Sequence, residues 1–202
     1  MRRFLRVLIV VVVVPVVAVA LLRARVALFF RAPTPMPTVA GAVCGVDGTT
    51  RASEAAAAAA GVGVLHAGAC GACSNAADVD VMRRTRTTLT LDARACGLRY
   101  FLIGRAAAER CMAPIGFTPA CTACWLDDMA CAVTHCTGVC LWSRLTGEPN
   151  NVDGRLNDCL QCDETECGPE FVRCAGANRR RSGIVSDIAR PAEQIWRGGD
   201  QP

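Results

Sequence analysis

The chain has 202 residues and a formal net charge of +4, and all 22 of its basic residues are arginine. The lack of lysine excludes a Schiff-base enzyme and a P-loop lysine, and so small a basic excess argues against a dedicated nucleic-acid binder. Aromatics make up 5% and alanine supplies much of the 52% apolar content, so a single domain of this size has a thin core that cross-links would reinforce.

Residues 7–22 form a run without a charged or polar side chain, interrupted only by Pro15. Arg2, Arg3 and Arg6 precede it, and Arg23 and Arg25 follow before the apolar character resumes at 26–30. A helix needs roughly 20 apolar residues to span a bilayer, and about 17 suffice. The segment 1–31 is therefore expected to be a signal-anchor with one transmembrane helix. A cleaved signal peptide ending at Ala18-Val19-Ala20 and a buried core helix are the alternatives. Three arginines stand before the run and three after it (Arg23, Arg25, Arg31), so charge does not set the orientation. The cysteines do. All fourteen follow the run, and an even set suits an oxidising compartment. The expectation is a single-pass membrane protein of the secretory pathway or cell surface, with its C-terminal part lumenal or extracellular.

Residues 32–43 read as a linker, with Pro33, Pro35 and Pro37 favouring extended structure. A cysteine-rich domain is expected over 44–190 and a tail over 191–202. Residues 41–50 read as turn-rich around Asp47-Gly48. Ser53-Glu54 and the alanines to Ala60 fit either a short helix stopped by Gly61 or a low-complexity spacer. Residues 63–66 suit a short strand. Ser74 or Asn75 can cap a helix through Asp78 to Arg84. Further helices are expected over 91–102, over 106–112, and after Thr118-Pro119, where threonine caps and proline fills the first turn. In that last helix Cys121, Cys124 and Cys131 fall within about 80° of one face. Cys136 and Cys140 also share a face. Residues 146–154 read as a loop, 169–175 as a helix ended by Gly176, and Ser186-Asp187 as a cap before Ile188, Ile195 and Trp196. The fold class is mainly α with little β: a small disulfide-rich domain behind one N-terminal transmembrane helix.

Ten of the fourteen cysteines lie between Cys111 and Cys174, a density suited to a covalent or metal framework rather than to ordinary packing. Cys44, Cys70, Cys73, Cys96, Cys111, Cys121, Cys124, Cys131, Cys136, Cys140, Cys159, Cys162, Cys167 and Cys174 are all disulfide candidates, with connectivity open. Two alternatives stand beside that scaffold. Cys70-Gly71-Ala72-Cys73, after a possible strand and before a helix, suits thiol–disulfide exchange, although Ala69 holds the place of the usual tryptophan. His66, Cys70 and Cys73 suit a zinc site, although an oxidising lumen opposes thiolate ligands. No cofactor is expected. Asp127-Asp128 read as solvated helix surface, and Asp163-Glu164 as acids near a helix start. Arg179, Arg180 and Arg181 are an anion-binding candidate, for anionic lipid or an acidic protein partner, against the plain reading of a solvated turn or of pairing with the domain's own acids. No Asn-x-Ser/Thr sequon occurs.

Several blocks carry a resemblance. They are residues 69–75, Gly116-Phe117-Thr118 with Cys121-x-x-Cys124-Trp125, Cys159-x-x-Cys162-Asp163-Glu164 leading to Cys167-Gly168-Pro169, and residues 175–184. Together they resemble a group of cysteine-rich, membrane-anchored or secreted proteins of microalgae that have no known activity. The resemblance covers roughly 66–190 and implies one domain, with no catalytic residue attached. The sequence thus points to a membrane-anchored, disulfide-stabilised structural or binding domain. A thiol–disulfide oxidoreductase using Cys70 and Cys73 and a zinc-binding domain are the alternatives.

Overall fold

Two side-chain caps set the frame of the helical domain. Asn75 Oδ1 accepts the backbone N–H of Asp78, and Thr118 Oγ1 accepts that of Cys121. Each thereby satisfies a donor that a helix start leaves open. The fully buried Asp78 joins the two starts, because its carboxylate accepts both the N–H and the hydroxyl of Thr118, each at 2.7 Å. Around this joint the computed structural model describes residues 41–197. The expected membrane anchor, most of the linker and the end of the tail lie outside the described residues. Among the described residues no helix is long and apolar enough to cross a membrane.

In chain order the elements are β1 (Val43–Gly45), β2 (Thr50–Arg51), α1 (Glu54–Ala59), β3 (Val64–Ala67), α2 (Ala76–Arg84), α3 (Leu89–Ile103), α4 (Arg105–Met112), α5 (Pro119–His135), α6 (Thr137–Leu145), β4 (Asn151–Val152), β5 (Arg155–Leu156), α7 (Asp158–Glu166) and α8 (Gly168–Ala175). The domain is mainly helical, as its sequence suggests. Ser53 caps α1 as a genuine helix start. The strands are short. β1 lies between β2 and β3, antiparallel to both, with Val43 opposite Arg51 and Ala67. The turn-rich reading of 41–50 missed β1, whose partner β3 comes only after α1. The reading of 146–154 as plain loop is corrected too: β4 and β5 form a small hairpin there. Ser186-Asp187 starts no α-helix. Asp187 instead accepts Arg179 Nη1 at 2.8 Å, Thr90 Oγ1 at 3.0 Å and Asn150 Nδ2 at 3.1 Å, tying the C-terminal segment to α3 and to the hairpin.

Seven disulfides cross this frame and leave no free cysteine among the described residues. Cys44–Cys70 closes the sheet on the loop after β3, Cys73–Cys121 joins the starts of α2 and α5, and Cys96–Cys111 staples α3 to α4. Cys124–Cys174 joins α5 to α8. Cys131–Cys167, Cys136–Cys162 and Cys140–Cys159 form a ladder whose partners step backwards along α7, so α5–α6 and α7 run antiparallel. Every one of the seven has at least one buried cysteine. Three disulfides put sulfur beside Met82, Leu89, Met112, Phe117, Leu126 and Met129, so the core of this alanine-rich chain is partly sulfur. Seven such bonds place the domain's maturation in an oxidising environment.

Candidate functional site

The Cys-Gly-Ala-Cys segment is a packing joint. Ala72 N–H and Cys73 N–H donate to the carbonyls of Cys174 and Ala175, each at 2.8 Å. The approach is so close that a β-carbon on Gly71 would lie 2.5 Å from both the Cys174 oxygen and the Gly176 nitrogen. Only glycine fits there. Cys70 and Cys73 do not bond to each other: their partners are Cys44 and Cys121, and Cys73 is fully buried. An exchange site needs an exposed sulfur with thiolate character, whereas here both sulfurs are oxidised and that of Cys73 is buried.

His66 is fully buried in the same joint. Its Nδ1 donates to the Ala67 carbonyl at 2.8 Å, and its Nε2 accepts the Ser74 hydroxyl at 2.7 Å. Ser74 Oγ in turn accepts the Gly71 N–H. Burial, and then the Arg181 charge, lower the imidazole's pKa and keep it neutral. Both ring nitrogens are engaged and both nearby sulfurs are oxidised. The set His66, Cys70, Cys73 therefore offers no zinc ligand.

The arginine run is divided among internal partners. Arg179 forms an ion pair with Asp187, both largely buried, and its Nη2 donates to Thr90. Arg181 lies over Gly68 and donates to the Gly176 carbonyl. Arg180 is half-buried and also has a partner. The three do not present one solvated anion patch, because the fold spends them on holding the C-terminal segment in place.

The chemistry gathers elsewhere. The faces of α3, α5, α6, α7 and α8 enclose a cavity of about 260 Å³, near the lower end of the range for small-molecule sites. Its walls include Leu98, Val133, Leu160 and Phe171. Trp125, in contact with Phe117 at 5.7 Å and Phe171 at 4.9 Å between ring centres, forms part of its inner side. Phe101 and Leu141 line it and remain 48% and 45% exposed, which marks the open mouth. Trp142 and Leu145 are exposed nearby on α6. Gly97 contributes to the α3 wall, and a β-carbon there would meet only Met129 Cγ, at 3.9 Å.

Asp128 and Asp163 face each other on this cavity. Asp128 lies one turn before Cys131 on α5 and Asp163 one turn before Cys167 on α7, and the Cys131–Cys167 bond joins the helix faces that carry them. A carboxylate oxygen of each and Cys167 Sγ all lie within 4.8 Å of one another. Asp128 is therefore not solvated surface, and Asp163 is the sixth residue of α7 rather than a residue at its start, which Asn157 caps. Asp163 Oδ1 is fully buried and has no hydrogen-bond partner, and Trp125 Nε1 is in the same condition. Glu164 pairs with Arg190 and is not available to them. Burial, then the charges of Asp163 and Glu164, push Asp128 well above the usual carboxylate range. Burial and Glu164 do the same to Asp163. The pair holds on to a proton at neutral pH, as close buried carboxyls do. Because Cys167 Sγ is oxidised, only two carboxylates are left in this cluster, too few for a hard cation that takes six or more oxygens.

The fold and cavity define a class: a helical, disulfide-stapled domain built around a small-molecule-sized pocket. Residues 105–197 match the Family of unknown function (DUF8771). The match begins at α4 and holds four of the seven disulfides, while α3 and its share of the cavity wall lie before it. Comparison with curated proteins and with solved structures found no match.

Proposed function

We propose that the chain is a membrane-tethered binding domain whose cavity takes a small, largely apolar ligand in the lumen or outside the cell. The observation that carries the reading is the cavity itself: apolar walls, an exposed aromatic and aliphatic mouth, and two buried polar atoms without partners on its inner side. Buried polar groups are almost always satisfied, and pockets with few convergent polar groups among apolar walls are the usual form of ligand sites. The tether rests on the apolar run of 7–22 and the alternating prolines after it. Catalysis by thiol exchange has less support, since each disulfide has a buried end.

The test uses Gly97. In mid-helix, glycine costs about 1 kcal/mol relative to alanine, so Gly97→Ala folds at least as well as the wild type. Gly97→Leu fills the cavity. Thermal shifts of the full chain in nanodiscs are measured with octane, octanol, octylamine and octanoate. At least one probe is expected to raise the Tm of the wild type and of Gly97→Ala but not that of Gly97→Leu. A Tm unmoved by all four, or moved equally in Gly97→Leu, would contradict a ligand-binding cavity.

A further inference from the structure

We infer that the facing carboxyls of Asp128 and Asp163 form the head-group site of this cavity, and that they recognise the single ammonium group of an apolar amine. The inference rests on the ligand-binding reading above and names the ligand's chemistry.

Three observations lead to it. The first is geometry. The Cys131–Cys167 bond fixes α5 against α7, so the two carboxyls cannot move far apart. The second is that no arginine lining the cavity pairs with either carboxyl: Arg179 pairs with Asp187, Arg190 with Glu164, Arg94 donates to Asn150 at 2.9 Å, Arg180 also has a partner, and Arg144 is exposed. No hydrogen bond or ion pair reaches Asp128 from the described residues, and Asp163 Oδ1 is buried without a donor. The third is the surroundings. Leu98, Val133 and Phe171 offer an aliphatic tail an apolar lining, and Phe101 and Leu141 leave the way in open.

The chemistry of the pair selects among ligands. Two close carboxyls that share one proton carry one negative charge. An ammonium matches that charge and brings three N–H donors, enough for both carboxyls. A carboxylate head would be repelled. An alcohol would supply one donor and leave the charge buried without a counter-ion, which is costly. A divalent cation would lack ligands, because the third group in reach is a disulfide sulfur.

The experiment compares octylamine with octanol and octanoate on the full chain in nanodiscs, by thermal shift and by direct titration, in the wild type, Asp128→Asn, Asp163→Asn and the double variant. Octylamine is expected to bind the wild type more tightly than either other probe, and about tenfold or more weaker to the double variant. Octanol, freed from the cost of an uncompensated buried charge, should bind the double variant at least as tightly as the wild type. Folding of each variant is checked by its own melting curve, and Asn keeps the side-chain shape. Octylamine binding that is equal in the double variant overturns the inference, as does tighter binding of octanol or octanoate. So does stabilisation by calcium or zinc ions that vanishes in the double variant while octylamine has no effect. If octanol binds and Gly97→Leu blocks it without any advantage for the amine, the head-group assignment falls and the cavity reading stands. If no probe binds, both fall.

Discussion

Replacing both Cys73 and Cys121 with alanine lowers the domain's stability by about 3–5 kcal/mol. Two effects add. The bond closes a segment of 48 residues between its ends, so its loss returns much conformational freedom to the unfolded chain. Both cysteines are also fully buried at the joint where α2 and α5 begin, so two alanines leave an unfilled space. For a domain of this size such a loss lowers Tm by roughly 10 °C. The double replacement of Cys96 and Cys111 is the comparison. That bond spans only 15 residues between two consecutive helices, and its loss should cost less. Thermal melts of both variants, with the other six bonds intact, check the order. An equal or smaller loss for Cys73/Cys121 would mean that the joint between α2 and α5 is held by something other than this bond.

The second large effect concerns charge. Asp128→Asn should stabilise the domain at alkaline pH and change little at pH 4. Burial first, then the charges of Asp163 and Glu164, raise the Asp128 pKa in the folded state. A raised carboxyl binds its proton more tightly folded than unfolded. Stability is then fullest below the ordinary aspartate range near 4 and falls as pH rises through neutrality toward the folded-state value. Asn carries no charge to bury and removes the repulsion on Asp163. A relief on the order of 2 kcal/mol corresponds to a Tm rise of roughly 4–8 °C at pH 8. Asp127→Asn serves as the control, since Asp127 is exposed and its ion pair with Arg105 at 2.6 Å is a surface one. Melting curves at pH 4 and pH 8 decide the matter: a destabilised Asp128→Asn at pH 8 would show that the carboxylate is needed ionised where it stands.

Much of the helical frame is legible in the sequence because its signals are local. Asn75 and Thr118 cap the helices that follow them, and Gly176 ends α8 with φ of +68°. Cysteine density announces a covalent framework, but spacing carries no connectivity. Cys70 and Cys73 look like a pair and are not one, because the backbone bonds between Ala72-Cys73 and the end of α8 turn their sulfurs toward different elements. The missed strand β1 is only partly local: β2 follows within eight residues, but its other hydrogen-bond partner β3 and its disulfide partner Cys70 lie 19 to 26 residues along the chain. Asp128 looks like a surface acid because its neighbour Asp127 is one. What buries it is α7, reached through Cys131–Cys167, and the Asp-x-x-Cys and Asp-x-x-x-Cys spacings gain meaning only once that bond is known. Gly97 gives no signal at all, since an empty position in a helix shows its use only when the opposite wall is in place.

The cysteines form a fixed scaffold that shapes the cavity. Peptide mapping by mass spectrometry tests it most directly, on native protein digested without reduction at acidic pH, where disulfides do not exchange. The expected links are Cys70 to Cys44, Cys73 to Cys121, and the ladder Cys131–Cys167, Cys136–Cys162 and Cys140–Cys159. A Cys70–Cys73 link, or a free thiol at either residue, would contradict this scaffold and put the alternative of an oxidoreductase first.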